Sequence, residues 1–163
     1  MQDFLYYLFI SLKVFGATMV GAVIGYDRDK AGKPAGMKTH AMVCLGACLI
    51  MIIGNQSFYL TQTGDPMRLA AQVVSVISFL CGGVIIVTHK SEIKGLTTAA
   101  TLWFVACLGL CIGSDSWWVA LPSVCCYWLI THVVKDFEKK ARETYRHHDK
   151  DELTVESEDK IVS

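Results

Sequence analysis

Long stretches of this 163-residue chain lack charged side chains, although 18% of its residues are charged. Five such stretches each approach the roughly 20 residues that a helix needs to cross the hydrocarbon core of a bilayer. Only Lys13 and Lys38 interrupt them. The apolar character of these five stretches leaves too few residues for a large soluble core. The sequence therefore predicts an all-α integral membrane protein with five transmembrane helices, at residues 4–25, 35–53, 69–87, 96–112 and 117–134.

Catalytic patterns are lacking as well. The chain contains no nucleophile–base constellation, no phosphate-binding glycine loop and no HExxH zinc motif. Without such a grouping, acid–base or nucleophilic chemistry has no starting point. We expect a protein that is not an enzyme and has no resident cofactor, with Mg²⁺ as the one ion to test. Expected partners are the lipid bilayer, other membrane helices and a second copy of the chain, but no nucleic acid.

Basic residues are unevenly placed between the apolar stretches, and this asymmetry predicts orientation. Short loops rich in Lys and Arg face the cytoplasm. The loops at 26–38 and 88–94 and the start of the C-terminal tail are basic, whereas the opposite loops carry Arg68 alone. The N-terminus is predicted outside and the C-terminus in the cytoplasm. Because the first stretch has no basic leader, we expect it to be a permanent span and not a cleaved signal peptide.

Composition divides the chain into a membrane domain at residues 1–134 and a cytoplasmic tail at residues 135–163. The first part of the tail is basic with a helical pattern, and its acidic end has the composition of a disordered segment. His147 and His148 in this tail are interpreted as solvated and not as metal ligands.

Small residues recur every four positions in the first span, at Ala17, Gly21 and Gly25. Such a face lets another helix backbone approach closely. It is either a dimer seam or, by the interpretation we favour, tight packing inside one chain. Gly46 and Ala47 in the second span and Gly82–Gly83 in the third are candidates for the facing surface.

Two charged groups near the first span have alternative interpretations. Lys13 either forms an ion pair inside the bundle or extends its amine to the membrane surface. Asp27 either pairs with Lys38 across the following turn or, together with Asp29, offers carboxylate oxygens to Mg²⁺. We favour the ion pair, because Asp27 and Asp29 lie among several basic residues.

Polar side chains in the third and fourth spans form a further set of candidates. Arg68 and Gln72 are spaced to share one helix face, and Gln72 is expected to be buried with a hydrogen-bond partner. Threonines of the fourth span are expected to bond to carbonyls of their own helix. These threonines are Thr97, Thr98 and Thr101.

Seven cysteines allow a soft-metal site, since Cys44/Cys48 and Cys107/Cys111 each share a helix face. Neither an acid nor a histidine accompanies them at a matching depth. Buried thiols pack well as small apolar groups, so we interpret them as packing residues and expect no disulfide.

Four segments together resemble the MgtC/SapB family of bacterial inner-membrane proteins. They are Gly-Ala-Val-Ile-Gly-Tyr-Asp-Arg at 21–28, Ala-Gly-Met-Lys-Thr at 35–39, Arg-Leu-Ala-Ala-Gln-Val-Val-Ser at 68–75 and Lys-Gly-Leu-Thr-Thr-Ala-Ala-Thr-Leu-Trp at 94–103. The resemblance implies a five-helix domain with its N-terminus outside. It also implies a set of functional polar residues: Asp27, Arg28, Lys38, Thr39, Arg68, Gln72, Lys94, Thr97, Thr98, Thr101 and Trp103.

The resemblance further implies a role in growth at low magnesium and in stress adaptation, exerted in some members by inhibiting the membrane sector of ATP synthase. Longer members carry a soluble domain after the last span, and its activities do not transfer to this chain. We expect a non-enzymatic regulatory membrane protein. A transporter or channel for Mg²⁺ is the alternative, and a cysteine-based metal or redox sensor is a third, weaker one.

Overall fold

A computed structural model of the chain describes residues 2–87 and 93–134. The predicted tail at 135–163, including His147 and His148, lies outside the described residues. Five helices are long and apolar enough to cross a membrane, which confirms the predicted architecture. Their bounds are α1 Gln2–Lys30, α2 Met37–Thr61, α3 Pro66–Val84, α4 Leu96–Gly113 and α5 Trp117–Val134.

One short element was not predicted from the apolar pattern. Ile86–Val87 (β1) pairs antiparallel with Ile93–Lys94 (β2), in the register Ile86 opposite Lys94 and Val87 opposite Ile93. The third apolar stretch therefore ends its helix at Val84 and continues as two residues of extended chain. Gly95 begins α4 with a φ of +95°, a left-handed conformation that favours glycine.

The chain divides into two compact units, Met1–Ala120 and Leu121–Ser163. The first contains α1 to α4 and the beginning of α5. The described part of the second is the continuation of α5 as helix. The predicted boundary at residue 134 stays a prediction.

Within the first unit, α2 packs extensively against both α1 and α4, and α3 packs mainly against α4. Side chains at the centre are small or branched, among them Cys44, Ala47 and Cys48 of α2 and Leu102 and Val105 of α4, which are all buried. Large apolar side chains are instead exposed on α1, α2 and α3, among them Phe15, Ile53 and Phe79. An apolar exterior around a core of small side chains is the arrangement expected where lipid replaces water as the solvent.

Glycines allow these close approaches. A Cβ on Gly21 would lie 2.6 Å from the His40 carbonyl oxygen, and one on Gly113 would lie 2.6 Å from that of Cys48. The face that contains Ala17, Gly21 and Gly25 thus packs on α2 within the chain, as favoured. The facing surface is His40, Ala41 and Cys44 of α2, together with Gly36–Met37 at its start.

The glycines suggested as the facing surface do not serve that purpose. A Cβ at Gly46, Gly82 or Gly83 would meet no atom within 4 Å, so these three positions border open space. Ala47 does pack closely, and its close neighbour is Gly109 of α4. The α4 pair Gly109 and Gly113 repeats the four-residue spacing of α1 and could have been recognised from the sequence.

Candidate functional site

Most buried polar groups in the described residues lie level with the two ends of α4, where α1 contacts the first turn of α4 through Arg28 and the turn after α4 through Lys13. We call Arg28, His40 and Thr98 the arginine end, and Lys13 with Asp115 the lysine end. At a rise of 1.5 Å per residue, Lys13 and Arg28 are about 22 Å apart along α1. The core between them contains the apolar side chains described above.

Arg28 is buried at the arginine end, with 5% of its surface exposed. Its Nη2 donates a hydrogen bond of 2.9 Å to Oγ1 of Thr98, which is also buried. The last turn of α1 thus meets the first turn of α4, and two predicted site residues come together. Arg28 Nε is buried and has no hydrogen-bond partner among the described residues.

His40 is fully buried beside this contact and was not among the predicted site residues. Its Nδ1 lies 2.9 Å from the Gly36 carbonyl oxygen, and its Nε2 has no partner within the described part of the chain. The charges of Arg28 and Asp29 interact electrostatically with the His40 ring. Gly36, His40, Cys44 and Cys48 recur every four residues, so this spacing could have placed His40 on the packed face of α2.

The acidic residues beside Arg28 do not form the predicted arrangement. Asp29 Oδ2 accepts a hydrogen bond of 2.8 Å from the backbone N–H of Met37 and so caps the start of α2. Asp27 is half-buried and Lys38 is exposed, and no ion pair joins them in the described structure. The end of α1 and the start of α2 are therefore joined through Asp29 and the backbone of α2, and not through the predicted pair of Asp27 and Lys38.

At the lysine end, Lys13 is the buried member of an ion pair. Its Nζ lies 2.6 Å and 2.7 Å from the two carboxylate oxygens of Asp115, and 4.8 Å from the centre of the Phe9 ring. Asp115 belongs to the tight turn between α4 and α5 and has a φ of +64°. Of the two interpretations of Lys13, the structure shows the ion pair and not the extended side chain.

The α3 candidates are exposed. Arg68 and Gln72 both line an open pocket of about 350 Å³ at the beginning of α3, with Asp65 and Ser57 on its other sides. The expectation that Gln72 is buried was wrong, because its side chain lies on the surface of α3 and makes no hydrogen bond within the described residues.

The remaining candidates are dispersed. Thr101 Oγ1 donates to the Thr97 carbonyl oxygen at 2.7 Å, which confirms the predicted bond within the helix, whereas Thr98 bonds to Arg28 instead. Trp103 on α4 and Lys94 in β2 are exposed, and Thr39 on α2 is half-buried. Among the hydrogen bonds of the described residues, the bond between Arg28 and Thr98 joins two side chains of the predicted set.

All seven cysteines are free thiols. Cys48 Sγ lies 3.9 Å from the Lys13 carbonyl oxygen, and Cys81 Sγ lies 3.2 Å from that of Ala99. These contacts agree with a packing role for the buried thiols. Within the described ranges, no three His, Cys, Asp or Glu side chains converge as metal ligands.

Five apolar helices, a core of small residues and buried polar groups that lie mainly level with the two ends of α4 define a multi-pass helical membrane protein. Comparison with known sequences identifies its family. The sequence profile of the MgtC family matches residues 14–140, so the chain belongs to the MgtC family.

Three relatives illustrate the extent of similarity. Protein SapB of Bacillus subtilis is 36% identical over 71% of this chain and 52% of its own length. The putative magnesium transporter YhiD of Escherichia coli K12 is 41% identical over 65% of this chain and 51% of its own. Protein MgtC of Salmonella typhimurium LT2 is 39% identical over 63% and 42%. This chain thus spans about half the length of such relatives. No solved structure matches it.

Proposed function

We propose that this chain is a non-enzymatic regulatory protein of the bacterial inner membrane, which acts in magnesium homeostasis and stress adaptation by binding helices of other membrane proteins. The observation that carries this proposal is the placement of the buried polar groups. They lie mainly at the lysine and arginine ends, and the buried side chains between these ends are apolar apart from Thr101, one turn after Thr98 on α4. Ion conduction needs a polar lining through the whole thickness of the membrane, so this arrangement favours binding over transport.

A surface for such a partner is present on α2, α3 and α4. An open apolar groove of about 480 Å³ runs between these helices, with Gly46, Val76 and Ile77 on its walls and Gln72 at one side. The Gln72 side-chain amide lies on a membrane-spanning helix and has no hydrogen-bond partner among the described residues. A transmembrane helix with a small-residue face would approach closely at Gly46, and a polar side chain on that helix would hydrogen-bond to Gln72.

Site-specific photocrosslinking in bacterial membranes tests this proposal. A photoreactive residue at Val76, which is 68% exposed, should give one discrete adduct with a membrane protein. Gly46→Leu should abolish the adduct by filling the groove. Gly82→Leu is the matched control, because its position also borders open space but does not line the groove. The absence of any adduct, or an adduct that persists in Gly46→Leu, would contradict the proposal.

The second candidate function is transport of Mg²⁺, which is favoured by the name of the YhiD relative. The buried Arg28 guanidinium opposes it, since a positive charge on the path repels a divalent cation. Purified protein in liposomes should therefore give no Mg²⁺ flux above that of empty vesicles. A flux that disappears in Asp27→Ala would establish transport and reverse this ranking.

A further inference from the structure

The lysine end opens into a pocket of about 520 Å³ between α1, α2 and the turn after α4. The pocket arises because these helices differ in length. A Cβ on Gly113, the last residue of α4, would lie 2.8 Å from that of Met51, so α4 ends at the level of Met51. Helix α2 continues to Thr61, which is about 15 Å further at 1.5 Å per residue. The Lys13–Asp115 pair thus lies on the floor of a recess below the ends of α1 and α2.

Polar groups with unused hydrogen-bonding capacity line this recess. The side-chain amides of Asn55 and Gln56 line it, and neither makes a hydrogen bond within the described residues. Asp115 keeps half of its side-chain surface exposed while it binds Lys13. Aromatic and aliphatic side chains form the remaining walls, among them Tyr6, Phe9, Tyr59 and Leu60. A concave apolar site with a few convergent polar groups is the usual form of a ligand site.

We propose that this recess binds the headgroup of a zwitterionic phospholipid, with the phosphate on Lys13 and a primary ammonium group on Asp115. The floor offers one positive and one negative group side by side, so a ligand with a single charge is attracted by one of them and repelled by the other. A zwitterion satisfies both. The Asn55 and Gln56 amides add donors for phosphate oxygens and acceptors for ammonium hydrogens.

A lipid fits the position better than a soluble zwitterion. Helix α4 has 18 residues, so it is about 27 Å long and slightly shorter than the roughly 30 Å hydrocarbon core. A short helix thins the bilayer locally and draws headgroups toward its end. The recess lies at that end, and its apolar walls provide a surface for the first carbons of an acyl chain.

Retention of added lipids by the purified protein tests the proposal. The protein in detergent receives equal amounts of phosphatidylethanolamine, phosphatidylcholine and phosphatidylglycerol, and native mass spectrometry measures how much of each stays bound. Phosphatidylethanolamine should be retained above the other two, because phosphatidylcholine has no ammonium hydrogens and phosphatidylglycerol has no cation. Gln56→Leu should reduce its retention on the order of tenfold, the effect of one hydrogen bond to a charged group.

Gln72→Leu is the matched control, since it makes the same change at an exposed amide outside the recess. It should leave lipid retention unchanged. Asp115→Asn should remove the preference for phosphatidylethanolamine. Thermal unfolding of Gln56→Leu should match that of the native protein, which shows that its loss of lipid binding is not a loss of fold. Crosslinking at Val76 should persist in Gln56→Leu, so this inference and the proposed function fail separately.

Two results would overturn the assignment. Equal retention of the three lipids would mean that the recess holds water and the ion pair has a structural role alone. Soluble phosphoethanolamine that binds as tightly as the intact lipid would identify the ligand as a small zwitterion in place of a membrane lipid.

Discussion

The lysine end and the arginine end stabilise their buried cations by different means. Lys13 is neutralised by both oxygens of Asp115, whereas Arg28 bonds to the neutral hydroxyl of Thr98. Position along the helix explains the difference. Arg28 lies in the last turn of α1, where the helix dipole favours a positive charge. Lys13 lies inside the helix and receives no such help, so it requires a carboxylate. The arginine end therefore keeps a net charge that the lysine end does not.

The largest effect should follow from removing the carboxylate at the lysine end. Asp115→Asn leaves Lys13 buried without a counter-charge, and Asn still tolerates the positive φ at this turn. Loss of one partner of a buried pair costs about 3–5 kcal/mol, and we expect about 3 kcal/mol because Asp115 is half-exposed. Unfolding in mixed micelles with increasing SDS measures the change.

The double variant Lys13→Met with Asp115→Asn is its control. It removes the stranded charge and should recover most of the lost stability. A single Asp115→Asn variant as stable as the native protein would mean that the ion pair contributes nothing, and the contrast between the two ends would disappear.

A smaller effect is expected at the arginine end. Thr98→Val keeps the shape of the side chain but leaves a guanidinium N–H without its acceptor, which costs about 1–3 kcal/mol. Thr97→Val is the control, because Thr97 is exposed on the same turn of α4 and should change stability by less than about 0.5 kcal/mol. The same SDS titration compares them. Equal effects of the two variants would mean that the Arg28–Thr98 bond is not a specific stabilising contact.

The five apolar stretches were sufficient to predict the five helices, because each membrane span appears in the sequence as a continuous run of apolar residues. The third apolar stretch begins at residue 69, whereas α3 begins three residues earlier at Pro66, where Asp65 Oδ1 accepts a hydrogen bond from the Met67 N–H. Proline favours the first turn of a helix, so Pro66 is a local signal for this start that apolar composition does not contain. The end of α3 was not readable, because the residues after Val84 are as apolar as those before it. Composition alone cannot distinguish helix from extended chain there.

The polar contacts were harder to predict because they join distant segments. Lys13 and Asp115 are 102 residues apart in the chain, and Arg28 and Thr98 are 70 apart. The sequence gives the depth of each group in the membrane but not the order of the helices around the bundle. Gln72 shows the consequence: its depth suggested burial, yet α3 presents it on the surface.

A smaller effect again is expected for Asp29, which follows Arg28 in the chain and caps the start of α2. Asp29→Ala removes the carboxylate that accepts from the Met37 N–H, and loss of a cap typically costs about 1 kcal/mol. Asp65→Ala removes the corresponding cap of α3 and should cost a similar amount. SDS titration of both variants provides the comparison. If Asp29→Ala cost several times more than Asp65→Ala, Asp29 would be acting chiefly as a counter-charge for Arg28 and not as a cap.

The smallest effect is expected for Asp27 and Lys38, the pair favoured by the sequence. Asp27 is half-buried, Lys38 is exposed, and the structure shows no ion pair between them. A double-mutant cycle with Asp27→Asn and Lys38→Met should give a coupling within about 0.5 kcal/mol of zero, as for residues without contact. The same cycle on Lys13 and Asp115 should give a clearly larger coupling. A coupling above about 1 kcal/mol for Asp27 and Lys38 would mean that the arginine end is also neutralised by a carboxylate pair, and the two ends would then stabilise charge in the same way.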